Sequence, residues 1–557
     1  MRTTTPSLAL LATTAHALPE LFIAKRDAAL QASPLARGLV KRQSGGTVET
    51  NVFDILTYSD GGAYYANVTV GTPPQDQVVI LDTGSSDLYF DATTAQACMS
   101  TGPNSCRGGT FNPKNSNSYN VIDPSPAFNT TFGDGSTASG PFSTDMIGIG
   151  DVVLSNVQFG VAEEVNSTSG YAVGLMGLGY SENEASQHQY PNMPEVLRDA
   201  HVINSRLYSI FLNSVGETSG SILFGGIDTS KYTGEMATLD LLTDLQTGGV
   251  DQFISTVTAL SASVSGKVTN MFSGGSNSDA AYNQTDSALP VLLDTGSSAW
   301  SMDQNVYAQY IAPAFPYVDQ QGLCSCSHQN DETTLTVEFG RKINITVPIR
   351  EFVIPIYNAT TNQPYPYSSS GGDTACAFMI SPAAATGQGF QTLGDAILRS
   401  MYVVFDLDNG QVSLAQAALN FTASPAIHTV SAGASGVAQA INSASYMSAA
   451  TQTRSIAAAV AETASFQVST AQSTVGVATG TAAVPADAQV SGTSGSQSGG
   501  SSSGSSSTTS GSSGSGSTSK AAAARVMVAG GVWSWASVSG VLGVVGASMA
   551  LGAGLVL

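Results

Sequence analysis

Basic residues are scarce in this 557-residue chain, where 19 Lys and Arg stand against 40 Asp and Glu. Between Gln43 and Asn420 the imbalance widens to 10 against 36. Nucleic-acid binding rests on clustered Lys and Arg, so no nucleic-acid partner is expected. An excess of carboxylates repels itself at neutral pH and relaxes as the groups protonate, which points to an acidic working environment. Histidine is rarer still. His16, His188, His201, His328 and His428 form no ligand pattern, so neither a metal nor a cofactor is expected. Cysteine is limited to five. Cys98 and Cys106 are near enough to close a small loop, Cys376 can pair with either Cys324 or Cys326, and one thiol is left over; this use of cysteine suits an exported chain. Long helical periodicity is also scarce, with "MPEVLRDAHVI" from Met193 one of the few candidates.

What the chain has in abundance is short apolar or alternating runs rich in Val, Ile, Thr, Tyr and Phe, broken by Gly, Asn, Asp and Pro. "YYANVTVGTPPQDQVVILDTG", "GSILFGG" and "MYVVFDLDNGQVSLA" read as strands and hairpins. A single core rarely grows past about 250–300 residues, so a mostly β chain in two halves is predicted.

The ends stand apart from these halves. Residues 1–17 carry Arg2, an apolar "LALLA" and a small-residue Ala15-His16-Ala17 finish, the pattern of a signal peptide. Residues 18–42 hold five basic and two acidic residues and stop at Lys41-Arg42, which reads as a propeptide with Gln43 as the mature terminus. Residues 421–525 are dominated by Ser, Ala, Thr and Gly, too poor in apolar surface to offset the entropy of ordering, and read as a stalk. Residues 526–557 form an apolar tail without charge, longer than the roughly 20 residues a spanning helix needs. Small residues Gly514, Ser515 and Gly516 upstream of a polar spacer fit a GPI-attachment signal whose tail is removed. The expectation is therefore a secreted chain held to the plasma membrane or cell wall by a GPI anchor. Sequons at Asn67, Asn129, Asn166, Asn283, Asn344, Asn358 and Asn420 mark potential surface glycans.

The most specific signal is a repetition. "VVILDTGSSDLYF" runs from Val78 to Phe90 and "PVLLDTGSSAWSM" from Pro290 to Met302. In each, an apolar strand delivers an aspartate to a turn where Gly supplies backbone freedom and Thr and Ser supply hydroxyls. One such turn is commonly a solvated loop. Two matching turns behind two buried-type strands imply duplicated lobes related by a pseudo-twofold axis, with Asp82 and Asp294 face to face. Two carboxylates in contact share one proton across the acid range, and a water between them can be activated while a substrate carbonyl is polarised.

At these residues the chain resembles the pepsin-like aspartic proteases, and within them the fungal GPI-anchored yapsin-like and candidapepsin-like branch. The resemblance runs from about Tyr64 to Ala415 and includes "GLMGLG" at Gly174–Gly179, "LFGGIDTSKYTG" at Leu223–Gly234 and "TLGDAILRSMYVVFDLDNGQVSLA" from Thr392. It implies a bilobal fold with an N-terminal lobe over 43–240, a C-terminal lobe over 241–420 and the cleft between them. It implies an acid-acting endopeptidase working as a monomer on polypeptide substrates, with Asp82 and Asp294 catalytic, Thr83, Gly84, Ser85, Thr295, Gly296 and Ser297 supporting them, and Leu175-Met176-Gly177 and Thr392-Leu393-Gly394 locking the loops from behind. "TTFGDGSTASG", Thr130–Gly140, resembles the flap that closes on substrate, with Phe132, Gly133 and Asp134 at its tip. Phe132 replaces the usual tyrosine and Tyr89 its tryptophan partner, so the hydroxyl-to-indole bond is expected to be absent and Phe132 to act as an apolar lid. Asp134 would admit Lys or Arg on the amino-terminal side of the cut. The competing expectation is a non-catalytic peptide- or wall-binding protein on the same fold.

Overall fold

The computed structural model describes residues 46–448 apart from 56–61, 100–104, 168–171, 187–188, 218–219, 245–247, 274–287, 359–362, 368–371, 384–389, 420–422 and 442–445. The expected signal peptide and propeptide, most of the expected stalk, the apolar tail and the sequons Asn283 and Asn420 lie outside the described residues. No helix among the described residues is long and apolar enough to cross a membrane.

The duplication read from the sequence is a duplication of strand pairing. The strand Gln75–Asp82 runs antiparallel to Ala63–Val70 and parallel to Gly174–Gly177. In the second half Leu289–Leu293 runs antiparallel to Ile254–Val264 and parallel to Gln391–Leu393. The following strands match too. Leu88–Asp91 lies antiparallel to Gly174–Gly177 and parallel to Val152–Ala162, while Trp300–Asp303 lies antiparallel to Gln391–Leu393 and parallel to Ile380–Ala383. Each aspartate-bearing strand is thus flanked on both sides, which is why its sequence is a continuous apolar run rather than an alternation.

The two halves are not separate in the sheet. Met401–Asp406 pairs with Leu207–Phe211, and Gln411–Ala417 pairs with Tyr232–Asp240, so the last strands of the second half enter the 15-stranded sheet that carries the first. The main core likewise draws on both, from Val48, Leu81 and Met176 to Leu293, Leu393 and Val412. "MPEVLRDAHVI" supplies the helix Met193–Asp199, started by a capping box in which Asn192 and Glu195 satisfy each other's backbone N–H groups.

The packed chain continues past residue 420. Ile427–Thr429 pairs antiparallel with Gly226–Asp228, and the helix Gly436–Ala440 follows. Val430, Val437 and Ile441 from this segment are buried against Leu207, Phe211, Ile227, Met236 and Tyr402. A few spaced apolar residues suffice here because the surface that receives them is already formed, although the surrounding Ser, Ala and Gly read as stalk. Burying one Val or Ile stabilises by about 1.5–3 kcal/mol. A chain ended after Leu419 is therefore expected to be less stable, by on the order of 5 kcal/mol, than one ended after Ser448. Thermal midpoints of the two would check this, and equal midpoints would show that the segment contributes nothing.

Candidate active site

Asp82 and Asp294 sit at the ends of the two equivalent strands, and the turns that follow them interlock. The Thr83 hydroxyl donates to the Leu293 carbonyl (2.7 Å) and accepts from the Thr295 N–H (3.0 Å). The Thr295 hydroxyl donates to the Leu81 carbonyl (2.8 Å) and accepts from the Thr83 N–H (3.1 Å). All four groups are buried, so each bond forms away from water and any unpaired member would be costly. This reciprocal set sets the separation of the two loops. Within each loop the carboxylate is held in the same way. Asp82 accepts from the Gly84 N–H (2.8 Å) and the Ser85 hydroxyl (2.5 Å), and Asp294 from the Gly296 N–H (2.8 Å) and the Ser297 hydroxyl (2.8 Å).

The glycines bring the two carboxylates together. A Cβ on Gly84 would lie 2.6 Å from Oδ1 of Asp294, and a Cβ on Gly296 would lie 2.5 Å from Oδ1 of Asp82. Each glycine therefore touches the opposite half's aspartate. Burial, followed by the charge of Asp82, pushes the Asp294 carboxyl up to about 8. A proton is thus favoured on the Asp294 side of the pair, facing the charge of Asp82.

The loops are backed by the segments singled out in the sequence. Leu178 N–H donates to the Asp82 carbonyl and Gly179 N–H to that of Ser85, while Asp294 N–H donates to Leu393 and Asp395 N–H to Ser297. Gly177 and Gly394 press against Ser86 and Ser297 so closely that a Cβ would come within 2.4 and 2.2 Å of their backbones.

The flap hairpin joins Asn120–Thr131 to Thr137–Ile149. Its turn is closed by Phe132 N–H to the Ser136 carbonyl and by Gly135 N–H to that of Phe132, with Gly135 at φ +85°. The Asp134 carboxylate accepts from the Ser136 N–H (2.8 Å) and hydroxyl (2.7 Å), so it shapes the turn as well as occupying the tip. Phe132 packs with Tyr89, ring centroids 6.2 Å apart, in a cluster with Phe128, Phe142, Leu175 and Tyr190. The Tyr89 hydroxyl donates to the Val173 carbonyl (3.4 Å).

Cys98 pairs with Cys106 and Cys326 with Cys376, leaving Cys324 as a buried free thiol. Of the described sequons, Asn129, Asn166 and Asn344 are exposed, and Asn67 and Asn358 are half-buried.

Two groups of buried polar residues near the site have no counterpart in the motif reading. Asp87 accepts from the Tyr190 hydroxyl (2.6 Å) and the Ala185 N–H (2.6 Å), fastening the 181–190 loop beside the first aspartate turn. Behind the second turn, the fully buried Arg399 donates to the Tyr64 hydroxyl (3.0 Å) and the Glu351 carbonyl (3.2 Å). Asp395 is also fully buried there, and burial raises its carboxyl against the opposing pull of Arg399. The available signal was Asp395 and Arg399 inside the otherwise apolar "LGDAILRSMYVVF", since charges in such a run are expected to be paired.

The model of the eukaryotic aspartyl protease family matches residues 63–417, and the chain belongs to that family. It is similar to the probable aspartic-type endopeptidase opsB of Aspergillus oryzae, 35% identical over 401 residues that cover 70% of this chain and 74% of the relative. It is also similar to secreted aspartic protease 8 of Candida albicans, 31% identical over 70% of this chain and 82% of the relative, and to candidapepsin-3 of the same species, 31% identical over 67% and 85%.

Proposed function

We propose that this chain is a cell-surface aspartic endopeptidase that hydrolyses peptide bonds at acidic pH through a water activated by Asp82 and Asp294. The observation that carries the reading is the reciprocal Thr83–Thr295 lock, which holds the two aspartate turns together, with the Asp294 carboxyl raised by burial and by the charge of Asp82. In the reaction, Asp82 takes a proton from the water as its oxygen attacks the peptide carbonyl, and Asp294 gives its proton to the carbonyl oxygen. The tetrahedral diol then collapses: the amine nitrogen takes the proton that Asp82 gained, a diol hydroxyl returns its proton to Asp294, and the C–N bond breaks to give a carboxylic acid and an amine. No covalent enzyme intermediate forms. Pepstatin-sensitive cleavage of denatured protein at pH 4, compared with pH 7, is the direct test, and no cleavage under either condition would favour a binding role.

The leader at 1–17, the basic segment at 18–42, the stalk and the apolar tail support export, activation at Lys41-Arg42 and GPI attachment. Export also agrees with relatives that are named secreted aspartic proteases.

Cleavage after Lys or Arg is the finer part of the proposal. Asp134 is half-buried at the flap tip, where its carboxylate accepts from the Ser136 N–H and hydroxyl, and a carboxylate at that position can pair with a cationic side chain of the substrate. Such a bond contributes about 1.5–3 kcal/mol. With matched peptides carrying Lys or Leu before the cut, Asp134→Thr is expected to lower kcat/KM for the Lys peptide about tenfold more than for the Leu peptide. Equal losses would confine Asp134 to the turn.

A further inference from the structure

The flap has two chemically different faces. Asn129 pairs with Ser139 and Thr131 with Thr137 across the hairpin, and the short strand Glu164–Asn166 adds a third row, with Glu164 opposite Ser139 and Asn166 opposite Thr137. Directly opposed residues share a face of a sheet, as do residues two apart along a strand. Asn129, Thr131, Thr137, Ser139, Glu164 and Asn166 therefore lie on one face. The alternate residues Phe128, Phe132, Ala138 and Val165 lie on the other and pack into the apolar cluster with Tyr89 and Leu175. The burial pattern agrees, since Asn129, Thr131, Glu164 and Asn166 are exposed while Phe128 and Ala138 are buried. The tip is uncrowded, because a Cβ on Gly133 or Gly135 would meet nothing within 4 Å.

Resting on the endopeptidase reading, we propose that Asn129 is an N-glycan attachment site on the outward face of the flap, and that the glycan acts as a size filter on protein substrates. Asn129-Thr130-Thr131 is a complete acceptor sequence on an exposed strand. In the exporting cell, the Asn129 side-chain nitrogen bonds to the anomeric carbon of an oligosaccharide carried on a polyprenyl pyrophosphate. The pyrophosphate leaves, and the amide loses one proton. The attachment point is three residues from Phe132, about 10 Å along an extended strand. A bulky hydrated sugar there stands over the outside of the flap while leaving its apolar underside unchanged. An extended peptide still enters the cleft beneath the flap. A folded protein must bring its own surface against the outer rim and meets the glycan.

The test uses the full chain secreted from a glycosylating eukaryotic host. Peptide mapping by mass spectrometry is expected to find a hexose-bearing glycan on Asn129. Asn129→Gln is expected to raise kcat/KM on a folded protein substrate several-fold, with kcat/KM on a short peptide unchanged. Thr131→Ala should reproduce the effect by destroying the acceptor sequence without touching Asn129, and Thr131→Ser, which keeps the acceptor sequence, should not. Asn344→Gln, which removes a sequon on the strand Ile343–Pro348 of the second half, should leave the protein-to-peptide ratio where it was. An unoccupied Asn129, or a ratio unmoved by Asn129→Gln and Thr131→Ala, overturns the filter. Loss of peptide cleavage in every form, wild type included, would instead count against the endopeptidase reading.

Discussion

Asp82→Asn and Asp294→Asn are each expected to lower kcat on a peptide by about 10³-fold or more, within the range that general acid–base catalysis contributes. Neither change should unfold the chain. Asparagine keeps the volume of aspartate, and its amide oxygen can still accept the Gly84 or Gly296 N–H. Its NH₂ group can donate to the Ser85 or Ser297 oxygen once that hydroxyl turns round. What is lost is proton transfer, since an amide can neither take a proton from water nor hand one to a carbonyl. The wild-type pH profile offers a second readout. Asp294 must hold its proton, which burial and the charge of Asp82 favour, so turnover is expected to fall as pH rises and that proton is lost. Turnover retained in either variant, at unchanged thermal midpoint, would end the two-carboxylate mechanism.

The site was legible in the sequence because each of its parts is local. An apolar run, an aspartate, a glycine and two hydroxyl residues lie within eight positions, and the turn they form determines the bonds to the carboxylate. The repeated pentapeptide then implied the pairing of halves, and the resemblance implied the segments that back each aspartate loop, which pair parallel to the aspartate strands. What stayed hidden depends on long-range packing. Arg399 reaches Tyr64, 335 residues away in sequence, and no local pattern announces such a partner. The packed segment beyond residue 420 was hidden for a different reason. Its composition is that of a stalk, and Val430, Val437 and Ile441 become core residues through the apolar surface that Leu207, Phe211 and Met236 present to them. The choice between Cys324 and Cys326 was equally closed to the sequence. Cys324 faces Cys376 across the strand pair, yet Cys326 makes the bond.

Asp91→Asn is expected to make the protein more stable at neutral pH and to flatten the dependence of its stability on pH. Asp91 ends the strand Leu88–Asp91, is 1% exposed, and among the described residues has no hydrogen-bond partner on either carboxylate oxygen. Burial alone pushes its carboxyl from 3.8 to about 7. The folded chain therefore keeps a proton on Asp91 between those pH values, whereas the unfolded chain releases it. Stability is undiminished below pH 3.8, falls as pH rises through the window, and levels off above 7. The displacement of about three pH units corresponds to roughly 4 kcal/mol by pH 7. Asp54, raised to about 6, and Glu184, raised to about 9, both first of all by burial, act in the same direction. A chain with these groups gives up stability on leaving acid, in keeping with its excess of carboxylates. Asparagine cannot ionise, so denaturant unfolding of Asp91→Asn and wild type should give similar free energies at pH 4, with the variant ahead by several kcal/mol at pH 7, less the cost of burying its amide. Parallel curves for the two proteins from pH 4 to 7 would mean that Asp91 is ionised in the native state, held by a partner that offsets its burial.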